Sequence, residues 1–377
     1  MTDPILVWAR AHQRDIIAEI REFVECESPS GDAPALRRFA DLVACSLPPS
    51  RVRFNGHLLA EVTLPHGGKP GRKKSGQVLV LGHLDTVWPI GTLKQMPFRH
   101  KDGRLWGPGV LDMKSGIAFF LAAVRALREL DIPVSRRVLL QLNADEEIGS
   151  HTSRALTEKN AAGSDCVLVL EPGTGLTGRL KTARKGVGDY CVTVRGKAAH
   201  SGIDFAAGAS AVVELARQIQ RIAGFSKPER GITVNPGVVS GGTRSNVVAA
   251  EAMAHVDARI PRLRDAAPLD RKFQSLRPVD KRCSVEVTGG INRPPMERTP
   301  GTVKLFREAQ RLAREIGVDL EESSTGGGSD GNFTSALGIP TLDGLGGVGE
   351  GAHANHESIL ADRIADRVAL LAKILKT

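Results

Sequence analysis

A chain of 377 residues with 41% hydrophobic and 25% charged side chains is long enough for two domains and has a globular rather than a disordered composition. Aromatic residues make up only 4%, with a single Tyr, which weighs against the stacking platforms of single-strand nucleic-acid binders. The formal charge of +9 is densest at residues 69–74, in HGGKPGRKKSG, where Gly and Pro mark a solvated loop, with attraction of acidic substrates or an anionic partner as the alternative.

In chain order, Ile5, Trp8, Ile16, Ile17, Ile20 and Phe23 share one helical face interrupted by charges, which predicts a surface helix and not a signal peptide. No apolar run approaches the roughly 20 residues of a membrane span, and a soluble, cytoplasmic protein is the expectation. The five cysteines, Cys26, Cys45, Cys166, Cys191 and Cys283, are odd in number, widely spaced and without a C-x-x-C pair, so they read as reduced packing residues. Continuous apolar runs at 77–84 (QVLVLGHL), 138–143 (VLLQLN) and 166–170 (CVLVL) predict short strands buried on both faces, with 116–130 as a crossover helix. From about residue 185 the pattern changes to alternation, at 189–194, 231–239, 251–260 and 283–288, which predicts a sheet with one wet face. Helical patterns at 206–223 and 269–276 interrupt those strands, giving a β-α-β-β-α-β order. After Pro294 the first pattern returns, with a helix at 303–316, a strand-like 339–345 and a last helix at 362–375. The predicted fold is α/β: a mixed, mostly parallel sheet with helices on both faces, formed by residues 1–180 and 293–377, with a ferredoxin-like α+β domain inserted at 181–292. There are no internal repeats, and the Gly-rich stretches are confined to 326–328 and 344–351.

Polar side chains collect at the C-terminal ends of the apolar strands, where open α/β sheets bind ligands. His83 and Asp85 end the first strand two residues apart, Asp112 lies in GPGVLDMKSG, Glu146 and Glu147 end the next strand in NADEEIGS, and Glu171 ends the one after in VLEPG. Carboxylates with imidazole suit zinc. Two divalent ions a few Å apart need one carboxylate that bridges them and a terminal set on each, and such a pair brings a water's pKa toward 7. Of His83 and Asp85, one can ligate while the other orients it. Adjacent glutamates at a strand end point in different directions, so Glu147 can bind metal while Glu146 acts as general base.

The ordered motifs GHLDTV, GPGVLDMKSG, NADEEIGS, LEPG, GKAAHSG and GEGAHANHES resemble those of the M20 metallopeptidase family, nearest to its glutamate carboxypeptidases. The resemblance covers nearly the whole chain, from Ser28-Pro29-Ser30-Gly31 onward, and implies a zinc-dependent exopeptidase-like fold with a dimerisation domain. It implies two Zn2+ per subunit, with Co2+ or Mn2+ as possible substitutes. His83, Asp112 and Glu171 would hold one, Asp112, Glu147 and His353 the other, and Asp112 would bridge. His356 is the alternative to His353. The resemblance also implies that Asp85 orients His83, that Glu146 is the base, and that a cis peptide follows Asp112. His200 would stabilise the oxyanion from the partner of a homodimer formed through the inserted domain. Asn246, Arg259 and Arg293 match positions that hold the substrate carboxylate, and the backbone at Gly328 can approach a ligand closely. Where glutamate-releasing relatives carry one lysine, this chain has Arg179, Lys181, Arg184 and Lys185, which leaves the released amino acid open.

The expected activity is zinc-dependent hydrolysis of an amide or peptide bond, releasing a C-terminal amino acid, such as glutamate, from an N-acyl amino acid or short peptide. An N-acyl amino acid deacylase or dipeptidase would use the same metals with another pocket. A non-catalytic metal- or anion-binding homologue would be expected to have lost a ligand or the base, and none is missing. Nucleic-acid binding would require a basic stripe that the scattered charges do not form.

Overall fold

The computed structural model describes residues 3–48, 50–66 and 76–377, so the basic run at 69–74 lies outside the described residues. Two compact units divide the chain. The first comprises Met1–Ala183, Arg298–Ser324 and Ser329–Thr377, and the second Arg184–Glu297 with Thr325–Gly328. The crossings therefore fall after residues 183 and 297, a few residues later than the breaks expected at 180 and 292, and a short return at 325–328 groups with the second unit.

The first unit is built on a six-stranded sheet. Strands Gln77–His83, Arg137–Asn143 and Cys166–Val169 run parallel at its centre, and Thr341–Leu342 adds a parallel edge. Strands Leu58–Val62 and Ser50–Phe54 extend the other side antiparallel. The sheet is therefore mixed and largely parallel, as its continuous apolar runs demand when both faces are covered. Helix Ser115–Glu129 is buried along nearly its whole length and packs beside the closing helix Ile364–Lys376, also buried almost throughout. Both belong to one apolar core with the sheet and the N-terminal helices.

Helix starts follow capping chemistry. Asp3 accepts the N–H groups of Ile5 and Leu6 with Pro4 in the first turn, and Asp32 and Thr299 do the same for Ala33–Ser46 and Pro300–Glu315. The single N-terminal helix expected from the apolar face is two, Pro4–Ala11 and Gln13–Glu25, separated at His12. The stripe of Ile5, Trp8, Ile16 and Ile20 survives the break because both segments pack on the same core. The strand-like stretch 339–345 shortens to Thr341–Leu342, since the Gly-rich run after it forms turns instead of a ladder.

The second unit carries an antiparallel sheet of Gly186–Arg195, Thr233–Gly241, Glu251–Ile260 and Ser284–Arg293. Numbered within the unit, the spatial order is 4-1-3-2, with helices Ala211–Ala223 and Ala266–Gln274 in the crossovers, which is the ferredoxin-like arrangement. The first helix starts at Ala211 and not at 206, because Phe205–Ala207 is a separate 3-10 turn and Ser210 caps the helix proper. Its core stacks Tyr190 on Phe273, with Phe225 edge-on. Among the described residues, no helix is long and apolar enough to cross a membrane.

Candidate metal centre

Three neighbouring parallel strands deliver the acidic cluster. His83 pairs in register with Asn143, three residues before Glu146, and Leu81 pairs with Val169, two residues before Glu171. The C-terminal ends of the strands thus bring His83, Glu146, Glu147 and Glu171 to one edge of the sheet. Asp112 arrives from the irregular turn before helix Ser115–Glu129, with the expected cis peptide between Asp112 and Met113. His353 comes from the turn after the Gly-rich run, in a left-handed conformation with φ 62 that a non-glycine residue adopts at a cost.

The side chains converge on Asp112. Its Oδ1 is 3.1 Å from His83 Nε2, and its Oδ2 is 3.5 Å from His353 Nε2. His83 Nε2 also faces Glu171 at 3.5 Å, and His353 Nε2 faces Glu147 at 3.2 Å. One atom each of His83, Asp112 and Glu147 lie within 4.8 Å of one another, as do atoms of His83, Glu146 and Glu171. Of the two histidines in this turn, both exposed, it is His353 whose Nε2 faces Asp112 and Glu147.

Such a crowd of carboxylates attracts positive charge. Burial opposes a charge on His83, yet Asp112, Asp85 and Glu171 outweigh it and hold its pKa well above the ordinary value. Contacts with Asp112 and Glu147 push His353 up to about 10. Burial alone would raise Asp112, but His353 and His83 hold it far below the usual range, while burial raises Glu147. Oε1 of Glu147 is buried with no hydrogen-bond partner. An orphaned buried acceptor beside two imidazole nitrogens and further carboxylates fits a divalent cation, whose binding displaces protons from such ligands.

Asp85, 1% exposed, is engaged on two sides. Its backbone carbonyl is 2.9 Å from His83 Nδ1, and its carboxylate lies at 3.4 Å. The nearer partner of the imidazole is thus the carbonyl, and either acceptor places the Nδ1 proton so that Nε2 faces the cluster. The Asp85 carboxylate accepts the N–H groups of Glu146 and Glu147 at 3.2 and 3.1 Å and the Ser30 hydroxyl at 2.7 Å. It therefore anchors the turn that carries both glutamates.

The second unit holds the other sequence-derived positions. His200 accepts the Gly202 N–H at Nδ1, 3.2 Å, so in the neutral ring the proton sits on Nε2. Asn246 is exposed, and its carbonyl accepts the N–H of Ser201, next to His200. Arg259 is held by Asp257 and donates to the Gly326 carbonyl. Arg293 is buried, and a Cβ on Gly328 would come within 3.0 Å of its Cδ. The cations at 179–185 are divided between the two units. Lys181 is buried on the Pro172 carbonyl and near Asp343 in the first unit, whereas Arg184 donates to the Gly327 and Gly328 carbonyls in the second.

Two buried groups escape a reading of the sequence. Arg367, on the closing helix, donates to the carbonyls of Gly178, Gly344 and Gly346, and its burial pulls its pKa down to about 10. Gly346 in turn donates to the Glu171 carbonyl at 2.9 Å, and a Cβ there would meet the Leu170 carbonyl oxygen at 2.1 Å. Glu357, beneath the Asp112 turn, is pushed up to about 7 by burial, against four N–H groups that favour its charge. In the sequence Arg367 shows only as a charge interrupting an apolar helix, and Glu357 only as a member of the motif GEGAHANHES with no sign of its burial.

The model of peptidase family M20/M25/M40 matches residues 79–377, and the chain belongs to that family. It is a metal-dependent hydrolytic enzyme. Carboxypeptidase G2 of Pseudomonas sp. (strain RS-16) is 27% identical over 97% of this chain and 90% of that protein. Acetylornithine deacetylase of Klebsiella pneumoniae is 31% identical over 71% of this chain and 70% of its own length. The crystal structure of aminopeptidase PepT from Bacillus cereus superposes with a TM-score of 0.76 at 22% identity, covering 97% of this chain and 98% of that one. An M20 family metallo-carboxypeptidase from Sulfolobus solfataricus gives 0.74 at 18% identity, covering 96% and 98%. At these identities, the structural likeness speaks for the fold.

Proposed function

We propose that the enzyme hydrolyses the amide bond of an N-acyl amino acid or short peptide and releases the C-terminal amino acid. The observation that carries this reading is Asp112, whose two oxygens each face a different imidazole, with Glu171 beyond one and Glu147 beyond the other. His83, Asp112 and Glu171 would hold one zinc, and Asp112, Glu147 and His353 a second; Co2+ or Mn2+ would suit the same donors. Bound there, the metal supplies a Lewis acid for the scissile carbonyl and lowers the pKa of a water toward 7.

The protein's own groups do the rest. Glu146 takes the proton of the attacking water and returns it to the leaving nitrogen, which departs as a neutral amine. His200, with its proton on Nε2, donates to the oxygen that becomes negative as the carbonyl is attacked. Arg259 and Arg293, with Asn246 and the Gly328 backbone, hold the carboxylate of the released residue, a task for planar guanidinium groups. A deacylase reading is favoured by the likeness to acetylornithine deacetylase and would use the same cluster. Release assays on N-acyl amino acids and dipeptides, with and without chelator, test both. Chelator is expected to abolish turnover, and preference for the acyl group or for the released residue separates the two. Turnover undiminished by complete metal removal would sink the reading.

The active form proposed is a homodimer through the second unit. Strand Thr233–Gly241 lies at a sheet edge and exposes Val238 and Val239, and helix Ala211–Ala223 exposes Val212 and Val213. An apolar sheet edge of this kind invites pairing with a second copy. The Val239→Glu variant is expected to sediment as a monomer, keep its metals and lose most of its turnover, roughly a hundredfold if one oxyanion donor is lost. A monomer with full turnover would refute the dimer requirement.

A further inference from the structure

We infer that Glu357 is the positioning residue that fixes Asp112 in its bridging orientation, an inference that rests on the two-metal reading above. Glu357 is 1% exposed, and both its carboxylate oxygens are used as acceptors. Oε1 takes the N–H groups of Leu111 and Asp112 at 2.8 and 3.0 Å, while Oε2 takes the Gly109 N–H at 2.9 Å and the Trp88 indole N–H at 2.8 Å. Its own carbonyl accepts the Gly107 N–H at 3.3 Å.

Three ligand-bearing segments therefore meet on one side chain. Trp88 follows Asp85 by three residues on the segment that leaves the His83 strand. Residues 109–112 form the turn that presents Asp112, and their N–H groups have no helical ladder before them to bond. Glu357 closes the turn that carries His353, through Ala354 N–H to Gly351 and Glu357 N–H to Ala354. The strand after it continues the union, since Ser358 pairs with Trp106. Asp112 must offer one oxygen to each of two sites, so a small rotation of its backbone spoils both, and the group that pins that backbone sets the affinity of both.

Glutamine discriminates here. It keeps the shape of Glu357 but has one acceptor, and whichever way the amide turns, its NH2 faces two N–H donors. The experiment compares metal-free wild type, Glu357→Gln and Trp88→Phe by zinc titration against a competing chelator, with metal-free Tm and kcat measured alongside. Glu357→Gln is expected to weaken both zincs together by about 10- to 100-fold, with kcat falling at subsaturating zinc and recovering in part as zinc is raised. Trp88→Phe removes one donor from a partly exposed position and leaves the carboxylate, and a loss of several-fold in zinc affinity is expected. Should Glu357→Gln fail to fold, Trp88→Phe decides the matter, and unchanged affinity in it overturns the inference. A lower metal-free Tm with zinc affinity unchanged in Glu357→Gln also overturns it, because the role is then structural only. Two zincs in wild type and equal affinity in the variant sink this inference alone, whereas wild type that takes up no zinc sinks the site reading with it.

Discussion

Glu146→Gln is expected to lower kcat by roughly a thousandfold, equivalent to about 4 kcal/mol of transition-state stabilisation, while the protein keeps the metals of the wild type. The substitution preserves the size of the side chain and removes its basicity, so the water's proton has no acceptor and the leaving nitrogen no donor. Glu146 has its backbone N–H held by the Asp85 carboxylate, and its carboxylate comes within 4.8 Å of a ring nitrogen of His83 and a carboxylate oxygen of Glu171, which suits the proposed role. Because its neighbour Glu147 has its own N–H held by the same aspartate, the variant leaves the turn intact. KM should change little, since proton transfer belongs to the transition state and not to substrate binding. Metal content by elemental analysis and single-turnover kinetics check the two halves of this expectation. Full turnover with the metals in place would remove Glu146 from the mechanism.

Asp85 also bears on how such a residue should be tested. Its carboxylate serves the Glu146–Glu147 backbone and Ser30 at closer range than the His83 ring, whose nearest partner is the Asp85 carbonyl. Truncating it would disturb His83, the backbone of Glu146 and Glu147 and the segment at Ser30 together, so its effect could not be apportioned to one of them.

What the sequence discloses follows from which constraints are local. The strands Gln77–His83, Arg137–Asn143 and Cys166–Val169 are legible because a strand covered on both faces has to be apolar throughout. The inserted sheet is legible because one wet face enforces alternation, as in Glu251–Ile260. The break at His12 is not, since an amphipathic stripe runs through it undisturbed, and the extent of the strand at Thr341–Leu342 depends on where a neighbouring strand stops. At the site, His83, Asp112 and Glu171 announce themselves as polar residues at strand ends or on a Gly-rich turn. His353 lies 241 positions beyond Asp112 by number, and only an ordered set of motifs links the two. Arg367 looks like an ordinary surface charge in one dimension, and Glu357, although it lies in GEGAHANHES, carries no sign of being buried. Burial is a tertiary property, and each is buried because backbone groups of other segments need its oxygens or its N–H groups.

The Asp112→Asn variant is expected to lose both metals and not one, and with them all measurable turnover. Asparagine has a single carbonyl oxygen, so it can serve one side of a bridge at most, and its NH2 would face a cation on the other. Zinc uptake gives the first reading, and thermal unfolding the second. A ligand bound only by the native state adds about 2.7 kcal/mol at one hundred times its Kd, which at about 2–4 °C per kcal/mol for a domain of this size is a rise of several degrees. Wild type should show that rise on adding zinc, and Asp112→Asn should not. Without zinc Asp112→Asn should melt below the wild type, because the Asp112 carboxylate is a partner that holds His83 and His353 protonated and its own charge is favoured by them, so the comparison is the rise on adding zinc within each protein. His353→Ala provides the contrast, as it strips a terminal ligand from one side and should leave a single tightly held zinc on His83, Asp112 and Glu171. If Asp112→Asn likewise kept one tight zinc, then Asp112 would be a terminal ligand, and the two imidazoles facing its separate oxygens would need another explanation.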